Sequence, residues 1–314
     1  MHVAVTGASG FVGRAACDVL LAAGHEVTAV VRGGRAPEGT YEVRVANLDT
    51  SALRTAFAGT AAVVHLAARA HVMRETVSDP RAEFRRVNVE GTRAAVAAAQ
   101  EAGARHFVFV SSIKVHGEGR EAPYTESDTP RPPDPYGQSK LDGESIVRDA
   151  GGRLGWTILR PPLVYGPGVG GNFRRLLRLA SAARRWPLPL GGIDNLRSMI
   201  FVDNLAHAIA AATTHPEARN RTFLVSDDHD VGVSELVSRL AVALGGRPRL
   251  FRAPANLIRQ AGALLGREAD LDRMFGTLRV NSSLIQSTLG WRPPVELGEA
   301  LGITARWWRS VSPP

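Results

Sequence analysis

Residues 2–32 read "HVAVTGASGFVGRAACDVLLAAGHEVTAVVR", and their pattern decides the fold class. A short apolar, β-rich segment (residues 3–5) runs through a glycine turn into a helical apolar pattern (11–23), leaves it at Gly24 and enters a second strand (27–31). Strand, helix and strand joined by a tight entry turn make a β-α-β unit. The alternation continues outward with "AAVVHLAA" (61–68) as a strand, "RVNVEGTRAAVAAAQEAG" (86–103) as a helix ended by Gly103, "HFVFVSS" (106–112) as a strand, a helix through Tyr136, and "GWTILRPP" (155–162) as a strand. Apolar strands separated by helices predict a parallel sheet covered on both faces, an α/β, Rossmann-type doubly wound fold. After Pro161 the Gly/Pro-rich stretch "RPPLVYGPGVGGN" (160–172) loosens the pattern and marks a boundary. The expected division is a dinucleotide-binding domain over 1–165, to which 198–226 returns, and a smaller mixed α/β substrate-binding domain from 166–197 and 227–314.

A chain of 314 residues, 44% hydrophobic and 22% charged, has room for about two subdomains at roughly 150 residues each. No basic-then-apolar leader is read, and no apolar run approaches the ~20 residues that span a bilayer, so a cytoplasmic protein without membrane insertion is expected. Cys17, the single cysteine, sits in an apolar helical pattern and reads as packing. The formal charge of +8 would suit a nucleic-acid partner, but the positive residues are dispersed and their densest groups are short, such as "FRRLLRLASAARRW" (173–186). No nucleic-acid partner and no metal site are therefore expected. Of the 38 lysines and arginines only two are lysines, Lys114 and Lys140. Arginine replaces a lysine kept for surface charge more easily than one whose compact ammonium must fit a tight site.

Gly7, Gly10 and Gly13 follow the first strand and open the first helix, with Ser9, Phe11 and Val12 in the same turn. That context is the one a dinucleotide fingerprint needs: the chain turns sharply, approaches a pyrophosphate closely, and offers unpaired helix N–H groups to it. The second strand ends "VVRGG" without the acid that would accept hydrogen bonds from an adenosine ribose. Arg32 there suits either a 2′-phosphate or stacking on adenine, and Asn47 and Leu48 at the end of the next strand are placed to meet the adenine edge. NAD and NADP both stay open at this point.

In "DPYGQSKLDGE" (134–144), Tyr136 and Lys140 stand four residues apart, on one face of a helix. A tyrosine with a pKa near ~10 becomes a base at neutral pH when a neighbouring cation favours its phenolate, and Lys140 is placed to do so while hydrogen-bonding a ribose. Ser111 and Ser112 end the preceding strand, where ligands of open parallel sheets bind.

With glycine turn, strand-end serine and Tyr-x-x-x-Lys in this order, the chain resembles the extended short-chain dehydrogenase/reductases, in particular their NAD-dependent nucleotide-sugar epimerase/dehydratase branch. "HLAA" (65–68), "NVEGT" with Asn88, "LRPPLVYGPG" with Arg160 and Tyr165, "GGNF" with Asn172 and "RSMIFVDNLA" with Arg197 extend the resemblance over essentially the whole length. It implies Ser112, Tyr136 and Lys140 as the catalytic group, and cofactor contacts that add Leu66, Ala67, Ala68 and Pro161 to the residues above. It also implies a substrate diphosphate held at Asn172 and Arg197. His71 is either a lining residue of the sugar pocket or a structural histidine, and Lys114, beside the catalytic serine, is either a substrate contact or solvent-facing. Two departures matter. Sugar 4,6-dehydratases of this branch carry Thr-Asp-Glu where this chain has Ser112, Ile113 and Lys114, and without that acid pair water elimination is not expected. His116 stands where a tyrosine is usual.

The implied activity is that of a UDP-hexose 4-epimerase, on UDP-glucose or UDP-N-acetylglucosamine, working through a 4-keto sugar with tightly held NAD, in a homodimer joined through helices around 92–100 and 141–147, whose apolar faces could equally be buried within one subunit. Two other activities use the same residues or none of them: an NADPH-dependent 4-ketoreductase of a UDP-4-keto-6-deoxy sugar, and a non-catalytic nicotinamide sensor.

Overall fold

In the computed structural model, which describes residues 1–70, 79–117, 119–254 and 276–312, the predicted alternation becomes one parallel sheet. Its strands in chain order are β1 (His2–Thr6), β2 (Glu26–Val31), β3 (Tyr41–Arg44), β4 (Ala62–His65), β5 (His106–Val110), β6 (Gly155–Arg160) and, after an excursion, β9 (Arg221–Leu224). They lie side by side as β3-β2-β1-β4-β5-β6-β9. The central β1 pairs Val3 with Val27 on one side and with Ala62 on the other. Buried on both faces, β1 and β4 need apolar residues at nearly every position, which is why they read as continuous Val/Ala runs rather than alternating ones.

Each face carries a helical layer. On one, α1 (Phe11–Ala22) packs beside α7 (Val202–Thr214), and Cys17, Leu20, Leu205 and Ile209 close over Val3, Val5, Val64 and Val108. On the other, α2 (Thr50–Ala56), α4 (Gly91–Glu101) and α5 (Pro135–Arg148) bring Leu53, Val96 and Val147 against Val63, Phe107 and Ile158. Ala95, Val96, Ala98 and Ala99 of α4 are thereby buried inside the subunit. Cys17 is buried there, and burial pushes its thiol up to about 12, so it stays protonated and packs.

The segment expected as one helix over 86–103 is two. After α3 (Pro80–Phe84), residues Arg85–Glu90 form a π-helical turn, and only from Gly91 does the α-helix run. The widened turn lets the Asn88 amide accept from Arg69 N–H (2.7 Å) and donate to Ser139 Oγ (2.9 Å) and to the Arg69 carbonyl (3.1 Å), pinning the loop after β4 to α5. Such insertions recur where function needs a side chain re-aimed.

Beyond β6 the chain leaves the sheet. β7 (Leu163–Tyr165) and β8 (Met199–Phe201) pair with each other in parallel, and α6 (Gly171–Ala183), α8 (Val233–Ala243) and α10 (Leu297–Val311) pack a second core on them around Tyr165, Phe173, Leu177, Phe201, Leu240 and Leu301. Helix α9 (Ser283–Leu289) instead closes on β9 and the first core through Ile285. Among the described residues no helix is long and apolar enough to cross a membrane.

Candidate active site

All seven strands point their carboxyl ends the same way, so the turns after β1, β2, β4, β5 and β6 gather along one edge. After β1 the backbone turns at Gly7 (φ +70). A Cβ on Gly13 would sit 2.1 Å from the Gly7 carbonyl, so only glycine lets α1 begin this close to the strand. Gly7 in turn lies against the backbone of Leu66 and Ala67 after β4, and Ala67 N–H reaches Thr6 Oγ1 at 3.3 Å. Ser9 Oγ donates to the Gly33 carbonyl at 2.8 Å, tying this turn to the end of β2 beside the exposed Arg32. Gly10, which opens α1, and Ala68 are exposed, Phe11 and Val12 half-buried. This backbone cradle at a helix N-terminus has the form that receives a pyrophosphate, and its donor set fits a dinucleotide. Asn47 is exposed beyond β3, and Leu48 is half-buried against Gly91.

Ser112 ends the run from β5. Its Oγ accepts from Lys114 N–H at 3.2 Å, starting a short 3₁₀ turn (Ile113–Val115), and Ile113 N–H donates to the carbonyl of Pro161 after β6 at 2.9 Å. Helix α5 starts sharply because Asp134 caps it, accepting from Gly137 N–H at 2.7 Å, with Pro135 at the first position. Tyr136 then falls in the first turn, with its phenol facing the Ser112 hydroxyl and its ring 5.9 Å from Phe84. Burial pushes the phenol up to about 12, which the approach of Ser112 partly offsets and the charge of Asp134 reinforces. The expected phenolate beside Lys140 is therefore not what the chain's own groups produce. Lys140 lies one turn on with its ammonium 4.1 Å from the centre of the Phe109 ring, and burial pulls it down to about 7, against the pull of Glu144.

Beneath Lys140 lies a buried ionic network. Glu144, fully buried one helical turn below, accepts from Arg160 at the end of β6 through two bonds of 2.8 and 2.5 Å and from Arg148 at 2.7 Å. Burial would raise the carboxyl, but the Arg160 guanidinium holds it below the usual range. Arg160 also donates to His116 Nε2 at 2.7 Å. Ser111 is buried on the Glu144 side, where its hydroxyl adds to the lowering of that carboxyl. His116, where a tyrosine is usual, is held in its neutral form by burial and by Arg160 and stacks on Tyr124 at 5.3 Å, a member of the network.

The sequence pattern of the NAD dependent epimerase/dehydratase family matches residues 3–226 of this chain. The chain belongs to that family. A UDP-glucose 4-epimerase of Vibrio cholerae is 37% identical over 97% of this chain and 94% of its own length. The solved structure of MoeE5 in complex with UDP-glucose and NAD superposes with a TM-score of 0.78 at 29% identity, over 99% of this chain and 100% of that one. The Thermus thermophilus UDP-glucose 4-epimerase in complex with NAD does so with a TM-score of 0.78 at 27% identity, over the same shares of the two chains. The chain is accordingly an extended short-chain dehydrogenase/reductase enzyme of the nucleotide-sugar type.

Against that family frame the remaining sequence candidates fall into place unevenly. Asn172 is exposed in the first turn of α6. Arg197 is half-buried before β8, its backbone paired with Val231 and its Nη1 donating to the Gly276 carbonyl at 2.7 Å. Neither shares an element with the Ser112–Tyr136–Lys140 group. Lys114, offered as a substrate contact or a solvent-facing side chain, is half-buried with Nζ 3.1 Å from Asp134 Oδ2. His71 lies outside the described residues. Two residues that support this group and that sequence reasoning did not single out are Asp134 and Glu144; both lie inside "DPYGQSKLDGE", the first as Asp-Pro before a helix and the second four residues past Lys140, where a carboxylate shares its face.

Two buried histidines near this site make stability depend on pH. His65 bridges Thr6 Oγ1 (2.8 Å) and Thr92 Oγ1 (3.3 Å), and burial, with the charge of Lys140, pulls it down to about 3. Burial and then Arg160 pull His116 down to about 4. Both folded values lie below the ordinary ~6.5 of the unfolded chain. Their contribution is fully present above pH ~6.5 and is lost as pH falls, because only the unfolded state takes up the proton. At pH 5 the loss is about 2 kcal/mol per histidine. Urea unfolding of wild type and of His116→Gln at pH 7 and pH 5 tests this: wild type is expected to lose about 2 kcal/mol more than the variant, and equal losses would contradict it.

Proposed function

We propose that the protein is an NAD-dependent UDP-hexose 4-epimerase. The observation that carries this reading is the meeting, at one sheet edge, of a strand-end hydroxyl (Ser112), a phenol (Tyr136) and a buried ammonium (Lys140) beside a glycine cradle shaped for a dinucleotide. The similarity to UDP-glucose 4-epimerases along nearly the full chain supports the substrate class. The absence of a carboxylate at positions 113 and 114 argues against dehydration.

Epimerisation at C4 requires a proton to leave the 4-hydroxyl as hydride leaves carbon, and then hydride to return to the opposite face of C4 as a proton returns to the oxygen. Bound NAD supplies the hydride acceptor and donor. The chain supplies the proton path: Ser112 orients the 4-hydroxyl and passes its proton to Tyr136, which returns it after the 4-keto sugar has turned over. The form of Tyr136 that accepts this proton is the phenolate; burial makes it the minor form at rest, and Lys140, one helical turn on, is placed to compensate its charge. Lys140 and the β1 turn hold the cofactor, Pro161 and Leu66 to Ala68 flank it, and Asn172 and Arg197 are assigned to the diphosphate, which must tolerate both sugar orientations. The outer layer on β7 and β8 is assigned to the sugar nucleotide.

The test is to denature purified protein, identify the released nucleotide by mass spectrometry, and incubate native protein with UDP-glucose and UDP-N-acetylglucosamine without added cofactor. Bound NAD and formation of the C4 epimer are expected. Protein that carries NADP and leaves both sugars untouched would replace this reading by a 4-ketoreductase, the alternative that Arg32, exposed where a ribose-binding acid is usual, favours.

A further inference from the structure

We infer that Lys114 and Asp134 are positioning residues for proton transfer: their ion pair locks the Ser112 turn to the first turn of α5 and screens the Asp134 charge from the Tyr136 phenol. This rests on the reading of Tyr136 as the proton-transfer group.

The geometry is a clasp with a bond on each side of the reacting pair. Ser112 Oγ accepts from the Lys114 backbone, while Lys114 Nζ reaches across to Asp134 Oδ2 at 3.1 Å. The other carboxylate oxygen, Asp134 Oδ1, caps α5 through Gly137 N–H, one residue past Tyr136. The two backbones touch at the same level, since a Cβ on Gly137 would lie 2.7 Å from the Lys114 carbonyl oxygen. One carboxylate thus fixes the start of the helix that carries the phenol and anchors the turn that carries the hydroxyl. Both side chains are about one-third exposed or less, 28% for Lys114 and 32% for Asp134, so solvent screens the pair only in part.

The charges around the phenol make the pair's second role specific. On α5 these are Asp134 and, one turn on, Lys140; on the 3₁₀ turn, the Ser112 hydroxyl and Lys114. From α3 the phenol meets the uncharged Phe84 ring, with Arg69 lying over that ring at 5.6 Å. Arg81, Arg85, Arg86 and Glu90 are exposed, and Glu83 is paired with Arg86. Asp134 is the group whose charge opposes ionisation of Tyr136. Removing its lysine partner leaves that opposition uncompensated, whereas removing the carboxylate relieves it.

The test is the pH profile of kcat/KM for the variants Lys114→Met, Asp134→Asn and Lys114→Arg; asparagine keeps the helix cap. The methionine variant is expected to move the limb governed by Tyr136 to higher pH by roughly half a unit or more, with turnover at neutral pH about threefold lower. Asparagine is expected to move it to lower pH, and arginine to leave it in place. Tyrosinate absorbance during alkaline titration of the folded variants should shift in the same directions, a readout that needs no turnover. If the methionine variant fails to fold, the acid shift of Asp134→Asn carries the test. An unmoved limb with a raised KM for the nucleotide sugar would make Lys114 a substrate contact and overturn the inference; an unmoved limb with only lowered stability would make the pair a mere brace and overturn it equally. Should Tyr136→Phe retain turnover, the assignment of Tyr136 falls and this inference with it; should that variant be inactive while the limbs stay put, this inference alone falls.

Discussion

Tyr136→Phe is expected to lower kcat by roughly 10²- to 10⁴-fold, about 3–5 kcal/mol of barrier, while the protein keeps its bound nucleotide and its fold. The change removes one oxygen. The ring stays, with its packing against Phe84 and its place in the first turn of α5. What is lost is the group that faces Ser112 and that the proposed mechanism assigns to the substrate proton. Measurement of kcat beside the nucleotide content of the variant separates the possibilities. A variant with full cofactor and turnover within tenfold of wild type would remove Tyr136 from the chemistry, and unchanged biological activity would then favour the nicotinamide sensor.

The second large effect is on stability. Glu144→Gln leaves Arg160, 2% exposed, without the carboxylate that holds it through two bonds. Breaking a buried pair from one side costs about 3–5 kcal/mol, because the remaining charge stays desolvated. For a chain of this length that lowers Tm by on the order of 5–10 °C. Replacing both partners by apolar residues, Glu144→Leu with Arg160→Met, is expected to recover most of the loss, since no lone charge remains. Both variants should also weaken catalysis, because the negative charge that favours a protonated Lys140 is gone. Melting curves of the single and double variants decide the matter; a single variant as stable as wild type would show that water reaches Arg160.

The parts of the molecule legible in the sequence are those written locally. The β-α-β unit of residues 2–32 is a change of apolar period across a glycine turn, and the parallel sheet follows from its repetition. Tyr136 and Lys140 share a helix face by spacing alone, and Ser112 joined them through a family pattern. The ionic network could not be read in this way. Arg160 is 16 residues from Glu144 and 44 from His116, and the three stand on a strand, a helix and a loop that only the folded sheet brings together. The resting ionisation of Tyr136 is hidden from the sequence for a related reason: spacing reports that Lys140 is near, but not that its ammonium lies over the Phe109 ring or that the phenol is buried. The π turn at Arg85–Glu90 has no pattern of its own, because the residues that need it, Arg69 and Ser139, are distant in sequence.

The pairing of α1 with α7 has a consequence for how the chain is made. Helix α1 and strands β1 to β6 have all left the ribosome before α7 begins at Val202, yet the apolar face of α1 and of the central strands is closed by Leu205, Ala208, Ile209 and Ala212 of that late helix. A nascent chain of six strands therefore carries a sticky, half-finished layer for as long as the intervening β7, α6 and β8 take to be synthesised, the kind of intermediate that chaperones shield. Truncation anywhere before Thr214 would expose the same face permanently, so the first layer cannot close without α7.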